Sequence, residues 1–321
     1  MTDSENKTLR FLRDISKQLD RHDYQEVKPW LVDCVKALPI PLLLNDKFPI
    51  LNKGGVYRNT NELYRAQENY TSIPERATMN LPWKTVDRLS HAPLDKEVEY
   101  IKEAGRCNLP GQARFYCSNH YPTACIECLT NGFIKDTHQS KTVTMGTWVV
   151  NEPLVLAQVV FSKKKINDIK HFNPELYDDR IKFTESWYEH TLAELEKDVN
   201  RPCSMDYAKE ILEFFYDEFG KMDIKSERDY ILSNFYCDYI FNQVFLDEPK
   251  TIDGIIFPSV KYSYQEFNIV IHPRAMSKIS FANASQVWVT YDGQINNVQF
   301  SPLETSFNDG NGNLKWNLFK Y

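Results

Sequence analysis

The sequence predicts an α+β fold, and three observations predict it. Helical periodicity runs from Leu9 to Leu38 and returns over 163–245. β-rich runs cluster instead at 142–161 and 268–300. The resulting order of helices, mixed segment, helices and strands lacks the regular βαβα alternation of a parallel sheet. No GxGxxG or GxxxxGK-S/T string occurs, so a Rossmann or P-loop reading has no motif behind it.

Taken in order, Leu9, Leu12, Ile15 and Leu19 recur at helical spacing, as do Val27, Trp30, Leu31, Cys34, Val35 and Leu38. Pro39 and Pro41 then remove backbone donors and end helicity. Residues 54–67 read as a turn and a strand, and 113–118 as a short strand. Residues 122–133 read as a helix, with Pro122 in the first turn and Gly132 near the end. Strands follow at 142–150 and 154–161, and the lysines at 163–165 read as a solvated turn. Ile211, Phe214, Phe215 and Phe219 share one helix face, and Ile231, Phe235, Tyr239 and Ile240 another. The tail returns to strands at 268–272, 286–291 and 298–300, with a loop at 307–313.

A chain of 321 residues with 42% hydrophobic and 13% aromatic content builds a sizeable core rich in Phe and Tyr. Its formal charge of -6 removes the broad basic field that nucleic acid requires. An anionic ligand would need a local arginine cluster or a helix N-terminus. No apolar run nears the ~20 residues that span a bilayer, and the polar start is unlike a signal peptide, so the expected location is cytoplasmic. The seven cysteines, an odd number without a secretory signal, do not read as a disulfide framework.

Three segments carry chemistry: LYRAQ at 63–67, residues 105–129, and DGIIFPSV at 253–260. Arg106 follows Gly105 and precedes a Pro110-Gly111 turn, which places a cation on a constrained loop. Tyr116 lies on the short strand. Glu127 is a carboxylate inside an otherwise apolar helix, on one face with Thr123, Ile126 and Thr130. Such a group needs donors or a cation, and Arg65 and Arg106 are the natural partners; a structural Glu–Arg pair explains it equally well. Asp253-Gly254 reads as a turn and Ser259 as the end of a strand, facing a pocket or capping a turn.

Together these segments resemble the RES-domain family, named for an Arg, a Glu and a Ser. The family pattern appears here as Tyr64-Arg65, GRCNLPG at 105–111, Tyr116, TACIE at 123–127 and DGIIFPS at 253–259. Cys107 stands where the family often has an aromatic residue, and Phe257 where it often has Tyr. The resemblance implies a RES fold, an ADP-ribosyltransferase-like mixed sheet core, and an NAD⁺-degrading toxin of a toxin–antitoxin pair. It implies NAD⁺ as substrate, inorganic phosphate as co-substrate, no metal, a cognate antitoxin as partner and a homodimer. It places binding on Arg65, Arg106, Tyr116, Glu127 and Ser259, with Glu127, Arg65 and Ser259 catalytic. The expected organisation is a helical N-terminal extension at 1–50, a first stretch of RES core at 51–162, a helical insertion at 163–227 and a second stretch of RES core at 228–321.

Other readings compete. ADP-ribosyl transfer to a protein, or hydrolysis of NAD⁺, would use the same pocket. A catalytically silent module would keep the fold and bind a partner through the helical insertion. Cys107, Cys117, Cys125 and Cys128 raise a zinc site, although the first two are too far apart for a paired-cysteine ligand set. His120 reads as a loop histidine and His272 as the end of a strand.

Overall fold

The computed structural model describes residues 1–34, 42–45, 48–51, 57–69, 82–129, 139–172, 179–197, 203–221, 224–242, 251–261, 266–292 and 298–318. The chain opens with α1 (Asp3–Ser16), α2 (Tyr24–Cys34), β1 (Leu42–Asn45), β2 (Phe48–Leu51), β3 (Tyr57–Thr60), β4 (Glu62–Glu68) and the short α3 (Glu97–Tyr100). Next come β5 (Phe115–Ser118), α4 (Tyr121–Cys128), β6 (Gln139–Val150) and β7 (Leu154–Gln158). Four helices follow: α5 (Lys163–Phe172), α6 (Asp179–Lys197), α7 (Met205–Phe219) and α8 (Ile231–Phe241). The chain closes with β8 (Gly254–Pro258), β9 (Phe267–Ile271), β10 (Ile279–Tyr291), β11 (Val298–Asn308) and β12 (Leu314–Leu318). This is the α+β class. Val35, Leu38, Pro39, Pro41 and Gly132 lie outside the described residues.

The chain divides into two compact units of interleaved segments. The first comprises Met1–Leu44, Lys96–Gln112 and Val155–Val260. It is mainly helical, around a strip in which β7 runs parallel to β8. Its core is aromatic, as the composition implies. The Tyr236 ring stacks on Phe215 at 4.8 Å, Phe219 meets Tyr236 edge-on at 5.7 Å, and Phe219 touches Phe257 of β8 at 5.4 Å. Such ring pairs add to the stabilisation that their buried area already gives. Asp253 does not form the expected turn. Its N–H donates to the Val155 carbonyl at 2.7 Å and its carboxylate accepts the Val155 N–H at 2.8 Å, pinning β8 to β7.

Helix α1 buries Leu9, Leu12 and Ile15 and runs alongside α7. Glu5 completes a capping box with Thr2, then reaches the N-cap of α7, accepting from the Ser204 N–H at 2.8 Å and its hydroxyl at 3.0 Å. The lysines at 163–165 open α5 rather than a turn. Ser162 caps the helix, accepting from the Lys165 N–H at 3.2 Å, while Lys163 and Lys164 stay exposed. Asp238 of α8 gathers three partners: the Tyr24 hydroxyl at 2.6 Å, the Lys28 ammonium at 3.3 Å and the Gln112 amide at 3.3 Å.

The second unit comprises Asn45–Asp95, Ala113–Leu154 and Lys261–Tyr321. Its sheet runs in the order β9-β5-β4-β6-β10-β11-β12. Long antiparallel ladders join β6 to β4 and to β10, so β6 is the central strand and Val143, Thr144 and Met145 are buried. Helix α4 covers one face, packing Ala124, Cys125 and Leu129 on Ala66, Val143, Met145, Val287 and Val289. On the other face Leu89 presses against Gly146, where an added Cβ would lie 3.2 Å from the Leu89 Cβ.

Asp238 is 9% exposed, so losing its carboxylate leaves the buried Tyr24 hydroxyl without an acceptor. Asp238→Ala is expected to destabilise the protein by about 1–3 kcal/mol. Urea unfolding checks this, and an unchanged midpoint contradicts it.

Candidate functional site

Three of the five expected site residues, Arg65, Tyr116 and Glu127, belong to the second unit. Arg65 sits on β4 directly opposite Gly146. The ladder between β4 and β5 has a single register pair, Tyr64 with Ser118. Two residues further along β5, the Tyr116 carbonyl accepts the Arg65 Nη1 at 2.9 Å. A side chain thus takes up a carbonyl where the ladder does not continue. The guanidinium lies 5.5 Å from the Phe115 ring centroid, and its buried Nε has no hydrogen-bond partner. Burial lowers the Arg65 pKa, and the neighbouring Cys117, Cys128 and Tyr116 oppose that shift.

Glu127 lies in the last turn of α4. The helix forms because Pro122 suits its first turn and because Ala124 and Cys125 have the core beneath them. That packing leaves Glu127 half-buried at the side. Its Oε1 accepts the Asn268 Nδ2–H at 2.9 Å and the Lys261 N–H at 3.4 Å. The Lys261 ammonium donates to the Glu127 and Leu129 carbonyls at 2.9 and 3.2 Å, a cation on the negative end of the helix. Tyr116 pairs with Val270, and Asn268 pairs with Ser118. By strand alternation Tyr116, Ser118 and Asn268 share the sheet face over which Glu127 lies.

Arg106 and Ser259 belong to the first unit. The Arg106 loop is held by α8, with the Asn234 amide on the Gly105 carbonyl at 2.9 Å and the Cys237 thiol on the Arg106 carbonyl at 3.7 Å. Gly111 has a φ of 78°, the left-handed turn conformation that the Pro110-Gly111 pair implied. The Arg106 guanidinium donates to the Phe219 carbonyl and, at 2.7 Å, to the Lys221 carbonyl, and lies 5.7 Å from the Tyr230 ring centroid. It therefore closes the C-terminal end of α7. Ser259 follows β8 and is fully buried.

The sequence reading missed Asn268 and Lys261. Asn268 had a signal, being the one polar residue in the apolar run FNIVI. The thiols raised as a zinc reading are spread over separate elements: Cys107 in the Arg106 loop, Cys117 on β5, and Cys125 and Cys128 on α4. Burial raises the Cys117 and Cys125 pKa values and brings Cys128 to about 12. Among the described residues no group of three or more His, Cys, Asp or Glu could hold a metal ion. Among them, too, no helix is long and apolar enough to cross a membrane.

A family model, the RES domain, matches residues 81–292. The chain belongs to the RES-domain family. The match contains Arg106, Tyr116, Glu127 and Ser259, whereas Arg65 precedes it. The RES domain is associated with NAD⁺-related toxin function. No curated protein matches the chain.

His272 is more than the end of a strand in this RES protein. Its Nδ1 accepts the Arg274 N–H at 3.2 Å and caps the short helix Pro273–Lys278. Burial, with Arg114 and Arg274 beside it, lowers its pKa from 6.5 to about 4. Between those values the unfolded chain binds a proton that the folded chain does not. The associated stability is complete above about pH 6.5 and falls as the pH drops towards about 4. His272→Asn keeps an acceptor and removes the titration. Its melting temperature should therefore fall less than the parent's over that interval, and equal losses would contradict the assignment.

Proposed function

We propose that this RES protein binds NAD⁺ and cleaves its nicotinamide–ribose bond, with inorganic phosphate as acceptor. Family membership supports NAD⁺ as the substrate. The observation that carries the chemistry is Glu127, a half-buried carboxylate whose Oε1 is held by Asn268 at 2.9 Å. Breaking an N-glycosidic bond builds positive charge on the ribose. A fixed carboxylate stabilises that charge without having to reorganise during the reaction. A phosphate oxygen bonds to the ribose C1″ as the C1″–N bond breaks. The bonding electron pair goes to the nicotinamide nitrogen, giving nicotinamide and ADP-ribose-1″-phosphate. The leaving group departs neutral, so no strong general acid is needed.

Arg65 supplies a cation for the pyrophosphate or the incoming phosphate. In this reading Arg106 has the same role through the guanidinium hydrogens not engaged by the Phe219 and Lys221 carbonyls. Tyr116 contacts the nicotinamide or the ribose, and Ser259 bonds the nicotinamide amide or a ribose hydroxyl.

The test is incubation with NAD⁺, with and without phosphate, followed by separation of the products. Phosphate-dependent release of nicotinamide with ADP-ribose-1″-phosphate is the expected result. Release without phosphate makes the protein a glycohydrolase, label transferred to a polypeptide makes it a transferase, and no turnover makes it a binding module. Glu127→Gln should lower turnover by at least about 100-fold with the fold retained. Undiminished NAD⁺ loss would remove Glu127 from the chemistry. Arg65→Met should abolish turnover measured well below its melting temperature, and it should also lower stability by about 1–3 kcal/mol, because the Tyr116 carbonyl loses its donor. Undiminished turnover would remove Arg65 from the chemistry.

A further inference from the structure

Glu127 is held from a strand rather than from its own helix. We infer that Asn268 is the positioning residue that sets the orientation of the Glu127 carboxylate, an assignment that rests on the NAD⁺-cleavage reading. A carboxylate only accepts, so the Asn268 amide must turn its NH₂ towards Oε1, 2.9 Å away. Glutamate has three side-chain torsions, and α4 fixes only where they begin. One charge-assisted bond from a rigid strand removes much of the remaining freedom.

Asn268 is itself held. It pairs with Ser118 across the β5–β9 ladder. The buried Ser118 hydroxyl donates to the carbonyl of Phe267, the residue before Asn268, at 2.7 Å. The same hydroxyl accepts the His120 N–H at 3.1 Å, at the entrance to α4. Both ends of α4 are thereby referred to β9: the entrance through Ser118 and the Glu127 end through Asn268. Lys261 completes the arrangement by holding the main chain of the last helical turn, its ammonium on the Glu127 and Leu129 carbonyls. The Lys261 side chain fixes the backbone of Glu127, while the carboxylate is held by the Asn268 amide at 2.9 Å and by the longer bond from the Lys261 main-chain N–H at 3.4 Å, so the two side chains have separable effects.

Removing a group that orients a catalytic side chain costs on the order of 10–100-fold in rate. Asn268→Ala should therefore lower kcat for NAD⁺ cleavage about 10–100-fold and change KM by less than about threefold. Asn268→Asp replaces the donor with a second acceptor carrying like charge and should cost more. Asn268→Gln retains a donor and should recover some of the loss. In a Glu127→Gln background, Asn268→Ala should have little further effect, because its target no longer carries the charge. These rates are to be measured with melting temperatures alongside. If the wild type turns NAD⁺ over and Asn268→Ala matches its kcat, the positioning role is overturned while the reading of the function stands. Losses that multiply independently in the double variant, or that follow a lower melting temperature alone, overturn it as well. If the wild type leaves NAD⁺ intact, the functional reading fails and this assignment fails with it.

Discussion

A guanidinium buried on the flank of a split ladder is the constraint around which the second unit is arranged. Arg65 joins β4 to the Tyr116 carbonyl of β5, and it has to do so in a place that costs a cation several kcal/mol of hydration. A carbonyl, an aromatic face and two thiols surround it. Such surroundings hold a cation without neutralising it. The directly opposed position on β6 is Gly146, with Leu89 filling the space a side chain would need. Helix α4, in the same unit, carries the opposite charge on a half-buried glutamate.

The first unit uses its arginine differently. Arg106 is tied to the carbonyls that end α7, and its loop rests on Asn234, Cys237 and Asp238. Those three lie at i, i+3 and i+4 on α8, one helical face that supports the loop. Through Tyr24 and Lys28, Asp238 also draws α2 into that assembly. The N-terminal helices and the helices after residue 163 accordingly share one unit with the Arg106 loop. Any movement of α7 or α8 would be felt by Arg106 through its carbonyl partners.

Local chemistry was legible in the sequence and distant pairing was not. Pro122 and the apolar residues after it mark α4, and short β-rich runs mark β5, β6, β9 and β10. Two of the differences come from one residue with two local uses. Ser162 caps a helix, so the lysines after it open α5; Asp253 bonds across to Val155, so it braces the start of β8 instead of forming a turn. Glu127 reads in the sequence as a charge that needs partners, and Arg65 and Arg106 are the natural ones. The structure supplies Asn268, 141 residues away, and Lys261, 134 residues away. No periodicity carries a contact of that range. Arg106 shows the same limit, since its partners lie 113 and 115 residues downstream. Asn268 was findable in principle, as a polar residue on the inward parity of an apolar strand.

Glu5 caps two helices at once, its own and α7, across 199 residues of sequence. Chain synthesis runs at about 5–20 residues per second, so α7 follows α1 by roughly 10–40 s. Throughout that interval Leu9, Leu12 and Ile15 have no α7 to cover them. Helix α1 thus keeps an apolar stripe bare until the element that covers it has been made.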